Sequence, residues 1–250
     1  MSALLLSATQ MAPRVHAQTP TRILVRAVSN DAKIIGSNVG GVRIMITDPA
    51  TGSVLADGIQ EGNTGDTRLI MTERPPRHET MYDTPGAAHF TAELMLDEPT
   101  VVNITAIGPL DNPEATTRSM KQMLLFPGQH VEGEGVIIEL NGFTVDWLSP
   151  APNAEHASGS EIPVRARVTM LCGCPTEPGG LWDSNGIDIR VRVISDGQLV
   201  QEHVMNFSGE TSIYEATLSG LDPGSHRVEI TASDAEHANF GRASRTLLVQ

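Results

Sequence analysis

The sequence predicts an all-β protein built from two tandem antiparallel β-sandwich domains. From about residue 20 onward, apolar side chains recur at every second position in short runs, which is the period of a strand with one buried face. No segment keeps an apolar face at i, i+3, i+4 and i+7 for more than two turns. The 23 glycines and 16 prolines among 250 residues divide the chain into short strands joined by turns.

Length and charge restrict the classes of partner. A chain of 250 residues is long enough to bury the cores of two ordinary domains. With 17 Lys and Arg against 30 Asp and Glu, the net charge is -13, which repels phosphate backbones and anionic lipids. We therefore expect no nucleic-acid partner. No apolar run approaches the roughly 18–20 residues that a membrane-spanning helix requires, so no membrane span is expected.

Residues 1–17 resemble a secretory signal peptide. "ALLLSA" supplies a short apolar segment, and "VHAQ" places Ala17 at a small-residue cleavage site. We expect cleavage after Ala17 and a periplasmic or extracellular mature protein. No basic residue precedes the apolar segment, a defect that a start codon assigned too far downstream would produce. The alternative is a loose N-terminal tail.

The first domain is predicted over residues 18–142. Its strands are read from "TRILVRAVSN", "GVRIMITD", "FTAELMLDE", "TVVNITAIGP", "KQMLLFPG" and "GVIIELNGF". The stretch "GGVRIMITDPATGSVLADGIQEGNTG" is similar to the opening of transthyretin-like and carboxypeptidase-regulatory-like sandwiches. This resemblance implies a small sandwich that binds or assembles without chemistry of its own, and it assigns no site residue.

The second domain is predicted over residues 143–250. It opens near the Pro-, Ser- and Ala-rich stretch "LSPAPNAEHASGSEIP", after which the alternation becomes regular. In "PVRARVTM" and "IDIRVRVI" every second residue is apolar, so one set of side chains should face the core and the arginines should face solvent. "SDGQ" predicts a hairpin turn between two of these strands. The residues expected to point inward are Val164, Ala166, Val168, Met170, Ile187, Ile189, Val191 and Val193.

The C-terminal residues "YEATLSGLDPGSHRVEITASDAEHANFG" resemble the closing half of immunoglobulin-like and fibronectin-type modules of exported bacterial proteins. The resemblance covers about 100 residues and implies a fold rather than an activity. It also implies that His226 packs at a loop corner as a structural residue. The turn "SDAEHANFG" departs from the short turn that is usual in these modules.

Few residues suggest chemistry. There is no G-x-S-x-G elbow, no phosphate-binding glycine loop, and "HETMY" lacks the second histidine of a zinc site. Four potential metal ligands lie close together in this part of the sequence, which we interpret as a solvated loop between strands: His78, Glu79, Met81 and His89. "WDSNGID" resembles a calcium loop through Asp183, Asn185 and Asp188, but the glycine is misplaced and no glutamate closes the loop, so a β-turn is favoured.

Both cysteines of the chain lie in "MLCGCP", one residue apart. If the strand continued in extended form, the thiols of Cys172 and Cys174 would project from the same face. Three interpretations remain open. The pair forms a local disulfide, which an exported location favours; or it consists of buried free thiols; or, with the Met170 thioether, it binds a soft metal such as Cu(I) or exchanges thiols.

The function expected from the sequence is that of a non-catalytic, exported binding or assembly module with a protein or cell-envelope partner and no cofactor. The alternative is a Cu(I)-binding or thiol-redox accessory protein that uses Cys172 and Cys174. A hydrolase is disfavoured because no pair of nucleophile and base can be recognised.

Overall fold

The computed structural model describes residues 18–152 and 154–250, and the expected signal peptide lies outside them. The first half of the described chain contains seven strands, which are β1 (Thr19–Ser29), β2 (Val42–Thr47), β3 (Val54–Gln60), β4 (Phe90–Leu96), β5 (Thr100–Gly108), β6 (Thr117–Leu125) and β7 (Val131–Leu140). The second half contains β8 (Phe143–Ser149), β9 (Glu155–His156), β10 (Ile162–Met170), β11 (Asp188–Ser195), β12 (Gln198–Val204), β13 (Asn206–Phe207), β14 (Ile213–Leu218), β15 (Gly224–Asp234) and β16 (Asn239–Val249).

Helical structure is confined to single turns. The described residues form short helical turns at Ser37–Val39, Arg68–Thr72 and Ser184–Gly186. In the described part of the chain, no helix has the length and apolarity needed to cross a membrane. The all-β class predicted from the period-two pattern is confirmed.

The N-terminal sandwich packs a three-stranded sheet of order β4-β1-β7 on a four-stranded sheet of order β3-β2-β5-β6. Alternate residues of β1, β2 and β5 fill the space between the sheets, and Ile23, Ile44 and Ile104 are fully buried there. Most pairings are antiparallel, but β1 pairs in parallel with β7. The period-two pattern predicts burial of one face but not the direction of the neighbouring strand.

The C-terminal sandwich has an immunoglobulin-type strand order. One sheet runs β13-β14-β10-β8 and the other β12-β11-β15-β16-β9. Strands β8, β10 and β14 correspond to A, B and E, and strands β12, β11, β15 and β16 correspond to C′, C, F and G, as the resemblance implied. The two-residue strands β13 and β9 are added at the edges of the two sheets. The predicted alternation of β10 and β11 is confirmed, since Val164, Val168 and Val191 are fully buried. The "SDGQ" hairpin is also found, with Asp196 and Gly197 both in the left-handed region.

Only Asn141 and Gly142 separate the last strand of the first sandwich from the first strand of the second. The unusual "SDAEHANFG" turn between β15 and β16 lies on this junction. Its Asn239 side chain is fully buried, accepts a hydrogen bond from the Gly142 amide at 2.9 Å and donates to the Asn30 carbonyl at 3.3 Å. The turn departs from the usual short form because it contacts the other sandwich.

That residues 143–250 fold independently remains a prediction. Strand pairing in the described structure stays within each half. Buried apolar residues of both halves nevertheless belong to one cluster, and side-chain hydrogen bonds such as those of Asn239 also cross the junction. The fragment 143–250, expressed alone, should show a β-type far-ultraviolet spectrum and one cooperative unfolding transition. A molten or aggregated product would contradict this boundary.

Candidate functional site

The cysteines lie in a tight hairpin at the end of β10, not in an extended strand. The Met170 amide donates to the Cys174 carbonyl at 3.0 Å, and the Gly173 amide donates to the Met170 carbonyl at 2.8 Å. Gly173 has a φ of 75°, as a three-residue hairpin loop with a glycine bulge requires. The pattern "VRARVTM" correctly predicts the strand. The chain reverses direction at Gly173, so Cys172 and Cys174 do not lie on an extended strand as expected from the sequence.

Both cysteine sulfurs lie inside the protein. They are 2.00 Å apart, at bonding distance, and the cysteine residues are only 1% and 3% exposed. Met170 is equally buried, with its side chain among the core residues of the sandwich. Across the junction, the Asn38 amide group donates to the Cys172 carbonyl at 3.0 Å. The hairpin therefore contributes to the core and to the junction, and little of either sulfur is accessible to a thiol or metal from solvent.

The other candidate ligands do not form a metal site. Among residues 18–152 and 154–250, no group of three or more His, Cys, Asp or Glu side chains is placed to hold a metal ion. The Asp183 carboxylate instead accepts hydrogen bonds from the amides of Asn185 at 2.9 Å and Gly179 at 2.8 Å. These bonds lower the pKa of Asp183 from its usual value. The "WDSNGID" segment is thus a carboxylate-capped turn, in line with the β-turn interpretation.

The long segment between β3 and β4 differs from a simple solvated loop. His78, Glu79 and His89 are exposed, as a solvated loop predicts. However, residues on either side of them form a small second core with the end of β1, comprising Val28, Ile34, Ile70, Ala87 and Ala88. Short apolar pairs within a polar loop carry no periodic signal, so the sequence pattern did not reveal this core.

A buried arginine ties this loop to the sheet. The Arg26 side chain is 2% exposed and donates to the carbonyls of Gly133 and Glu134 and, at 2.8 Å, to the carboxylate of Asp83 in the loop. The Glu134 carboxylate accepts hydrogen bonds from loop amides, including that of Tyr82 at 2.9 Å. Charged side chains from β1 and β7 therefore fix one end of the loop.

Two histidines of the second sandwich have defined partners. His226 is buried, with Nδ1 2.6 Å from the Ser195 hydroxyl and Nε2 2.8 Å from the Asp222 carbonyl, which supports the structural role expected for it. His237 lies at the junction, with Nδ1 2.7 Å from an Asp234 carboxylate oxygen and Nε2 3.8 Å from one of Asp31. The hydrogen bond to Asp234 is the main cause that raises the pKa of His237 above its ordinary value.

The outer side of the sheet β3-β2-β5-β6 carries several apolar side chains. By register, Met45 pairs with Thr105, which in turn pairs with Met120, while Val101 pairs with Leu124. We call this set of outward-facing apolar residues the apolar face: Met45, Ile59, Val101, Ile107, Met120 and Leu124. Met120 is 54% exposed and Ile59 is 50% exposed. Grouped apolar side chains on one surface are typical of contacts with another macromolecule.

Comparisons with known proteins identify no family for this chain. No protein-family model matches it, and no curated protein matches it. Several solved structures are similar at low identity. An engineered protein crystallised at 1.98 Å resolution is 22% identical with a TM-score of 0.33, and the match covers 50% of this chain but only 24% of that one.

Other matches extend over most of the chain. Fibronectin(III)-like modules of Clostridium thermocellum CbhA are 13% identical, with a TM-score of 0.30 and coverage of 92% of this chain and 94% of theirs. The titin domains Z1Z2, solved in complex with telethonin, are 14% identical, with a TM-score of 0.27 and coverage of 94% and 98%. The fold class of this protein rests on its own strand pairing.

Proposed function

We propose that this protein is an exported, non-catalytic module that binds or assembles with a protein of the cell envelope. The observation that carries the proposal is the apolar face on the outer side of the N-terminal sheet. The opening of this sandwich resembles transthyretin-like sandwiches, which implies binding without chemistry.

The apolar face has the chemistry of a protein contact. Its apolar side chains share this side of the sheet with a charged pair, in which Arg43 donates to Asp57 at 2.9 and 2.6 Å, and with the exposed Arg118, which pairs with Ile107. The hydrogen bond from Arg43 lowers the pKa of Asp57, so this pair stays ionised and neutral overall near pH 7. Such a surface is less repulsive to other acidic proteins than the chain as a whole, whose net charge is -13. A face of apolar side chains with few charges favours a protein partner over a highly charged polymer.

Site-specific photo-crosslinking in the native organism tests this proposal. A photoreactive residue at Met120, on the apolar face, should give a discrete crosslinked adduct. The matched control is Met95, a methionine of the other sheet that is 49% exposed and should give none. No adduct at Met120, or equal adducts at both positions, would contradict an interface on this face.

Export is tested separately, on the native protein. Its support is the apolar N-terminal segment followed by a small-residue cleavage site. The mature protein should be recovered from the periplasmic or extracellular fraction with Gln18 as its first residue. Recovery from the cytoplasm with the N-terminal segment intact would contradict this part of the proposal.

The alternative function, Cu(I) binding or thiol exchange by the cysteine hairpin, remains a prediction. It requires the pair to be reduced and the buried sulfurs to become accessible. Reduced protein loaded anaerobically would retain about one Cu(I) per chain if two thiolates and a thioether bind it. Replacing both cysteines by alanine would abolish retention, and Met170→Leu would weaken it. Equal retention by wild-type protein and the double variant would exclude this function.

A further inference from the structure

A groove runs along the junction on the side of β15 and β16. It consists of two adjoining cavities of about 410 and 310 Å³ that share Glu114 and Arg242 in their linings. The loop before β6, residues 114–117, forms one wall, and the outer faces of β15 and β16 form the floor. The two sandwiches thus each supply one side of the groove, an arrangement typical of ligand sites between domains.

An aromatic side chain lies at the edge of this groove in a fixed position. Phe240 is 60% exposed, the largest exposed fraction among the large hydrophobic residues described. On one side of it, Asn239 is fully buried and hydrogen-bonded across the junction. On the other side, Gly241 lies so close to the neighbouring chain that an added Cβ would be 2.6 Å from the Phe143 carbonyl oxygen. The backbone that carries the Phe240 ring is therefore held on both sides and not part of a loose loop.

Polar groups line the rest of the groove. Phe240 and Arg242 are two residues apart on β16, so both side chains project to the same face. On β15, Ser233 pairs with Phe240 and Thr231 pairs with Arg242, which places two hydroxyl groups on the floor beside them. Glu114 lies on the opposite wall. The groove thus combines an exposed ring, hydroxyl groups, a guanidinium and a carboxylate.

The charges in the groove balance. At one end Arg227 pairs with Glu229 at 3.1 Å, and Arg242 and Glu114, one positive and one negative, both line the groove. Because the groove contains both guanidinium and carboxylate groups, a ligand with many charges of one sign would be repelled by the groups of that sign. Guanidinium and carboxylate groups can each hydrogen-bond two adjacent hydroxyl groups through paired atoms. The exposed ring of Phe240 can stack on an apolar ring face of a ligand.

From this combination we infer that the groove binds a neutral oligosaccharide of β-linked sugars. The flat faces of such sugars, which carry C–H groups, would stack on Phe240, while Arg242 and Glu114 would hydrogen-bond ring hydroxyls. This inference goes beyond the proposed function, because it assigns a second ligand, a carbohydrate, to a surface other than the apolar face. Two adjoining cavities of about 410 and 310 Å³ offer room for several linked sugar units rather than a single one.

Calorimetric titration of the full chain with cellohexaose and with chitohexaose tests the inference. We expect saturable binding of at least one of them, and Phe240→Ala and Arg242→Ala should each weaken it by about tenfold or more, the size expected for loss of one stacking or paired hydrogen-bonding group. Phe126→Ala is the matched control, because Phe126 is 50% exposed but lies outside the groove, and it should leave binding unchanged.

Two outcomes would overturn the inference. One is no heat of binding with either sugar at about 5 mM, a concentration that would reveal even millimolar affinity. The other is equal affinity of wild-type protein and Phe240→Ala. All variants should keep the wild-type melting temperature, since the altered side chains are exposed. A negative result here leaves the Met120 crosslinking result unaffected, so failure of the groove and failure of the apolar face can be distinguished.

Discussion

Removal of the buried Arg26 side chain should strongly destabilise the N-terminal sandwich. Arg26→Ala leaves the carbonyls of Gly133 and Glu134 without their charged donor, and these bonds are 2.5 and 2.7 Å long. A hydrogen bond to a charged group contributes about 1.5–3 kcal/mol, so the two together predict a loss of about 3–6 kcal/mol. We add little for the Asp83 ion pair, because that carboxylate is half exposed and water screens it.

The matched control is Arg22, which lies on the same strand. It pairs with Glu132 at 2.5 Å, but both side chains are about half exposed. An exposed pair contributes at most about 1 kcal/mol, so Arg22→Ala should change the stability little. Urea unfolding should be followed by far-ultraviolet circular dichroism, because Trp147 and Trp182 both lie in the other half of the chain. Equal losses for the two variants would refute the argument from burial.

Limited proteolysis supplies a second readout of the same variant. Because Arg26 fixes the loop through Asp83, Arg26→Ala should accelerate tryptic cleavage after the exposed Arg77. Arg74 is followed by Pro75 and resists trypsin, so Arg68 and Arg77 are the cleavable arginines of this segment, and the acceleration should be largest at Arg77, which is nearer to Asp83 in sequence. An unchanged cleavage rate would mean that the small apolar core and the Glu134 carboxylate hold the loop without Arg26.

Three further predictions concern the second sandwich and the junction. Val191→Asp should lower the stability by more than about 4 kcal/mol, since it buries an unpaired carboxylate inside the second sandwich. Arg190→Ala, at a half-buried position on the outer face, should change the melting temperature little, and equal shifts would mean a wrong strand register. Native protein should show no free thiol and a mass lower by two hydrogens, and replacing Cys172 and Cys174 by alanine should lower the stability only slightly because the closed loop is very short. Two titratable thiols or a large loss of stability would contradict the pairing. The raised pKa of His237 means that its stabilising contribution is fully present below the pKa of the unfolded chain and is lost as pH rises through the folded pKa. Unfolding curves should therefore show stability falling as pH rises above about 6.5 in wild-type protein but not in His237→Gln, and parallel profiles would rule out this residue as the cause.

The period-two pattern by itself determined the fold class and the buried face of most strands. Val164, Val168 and Val191 are buried as predicted, because a strand that alternates its side chains can bury only one set of them. The hairpin after Ser195 was also predictable, since two consecutive residues in the left-handed region favour Asp-Gly. These features depend on neighbours in sequence, and such neighbours are visible without a structure.

Other features were decided only by tertiary contacts between distant parts of the chain. Arg26 occupies an ordinary strand position in the sequence, yet it is buried because the carbonyls of Gly133 and Glu134, over one hundred residues away, accept its protons. Phe240 reads as one more apolar residue of an alternating strand, but it is exposed because Asn239 is buried on the other sandwich and turns the ring outward. Burial of a side chain follows from which strands pack together, and no local pattern records the partner across the junction.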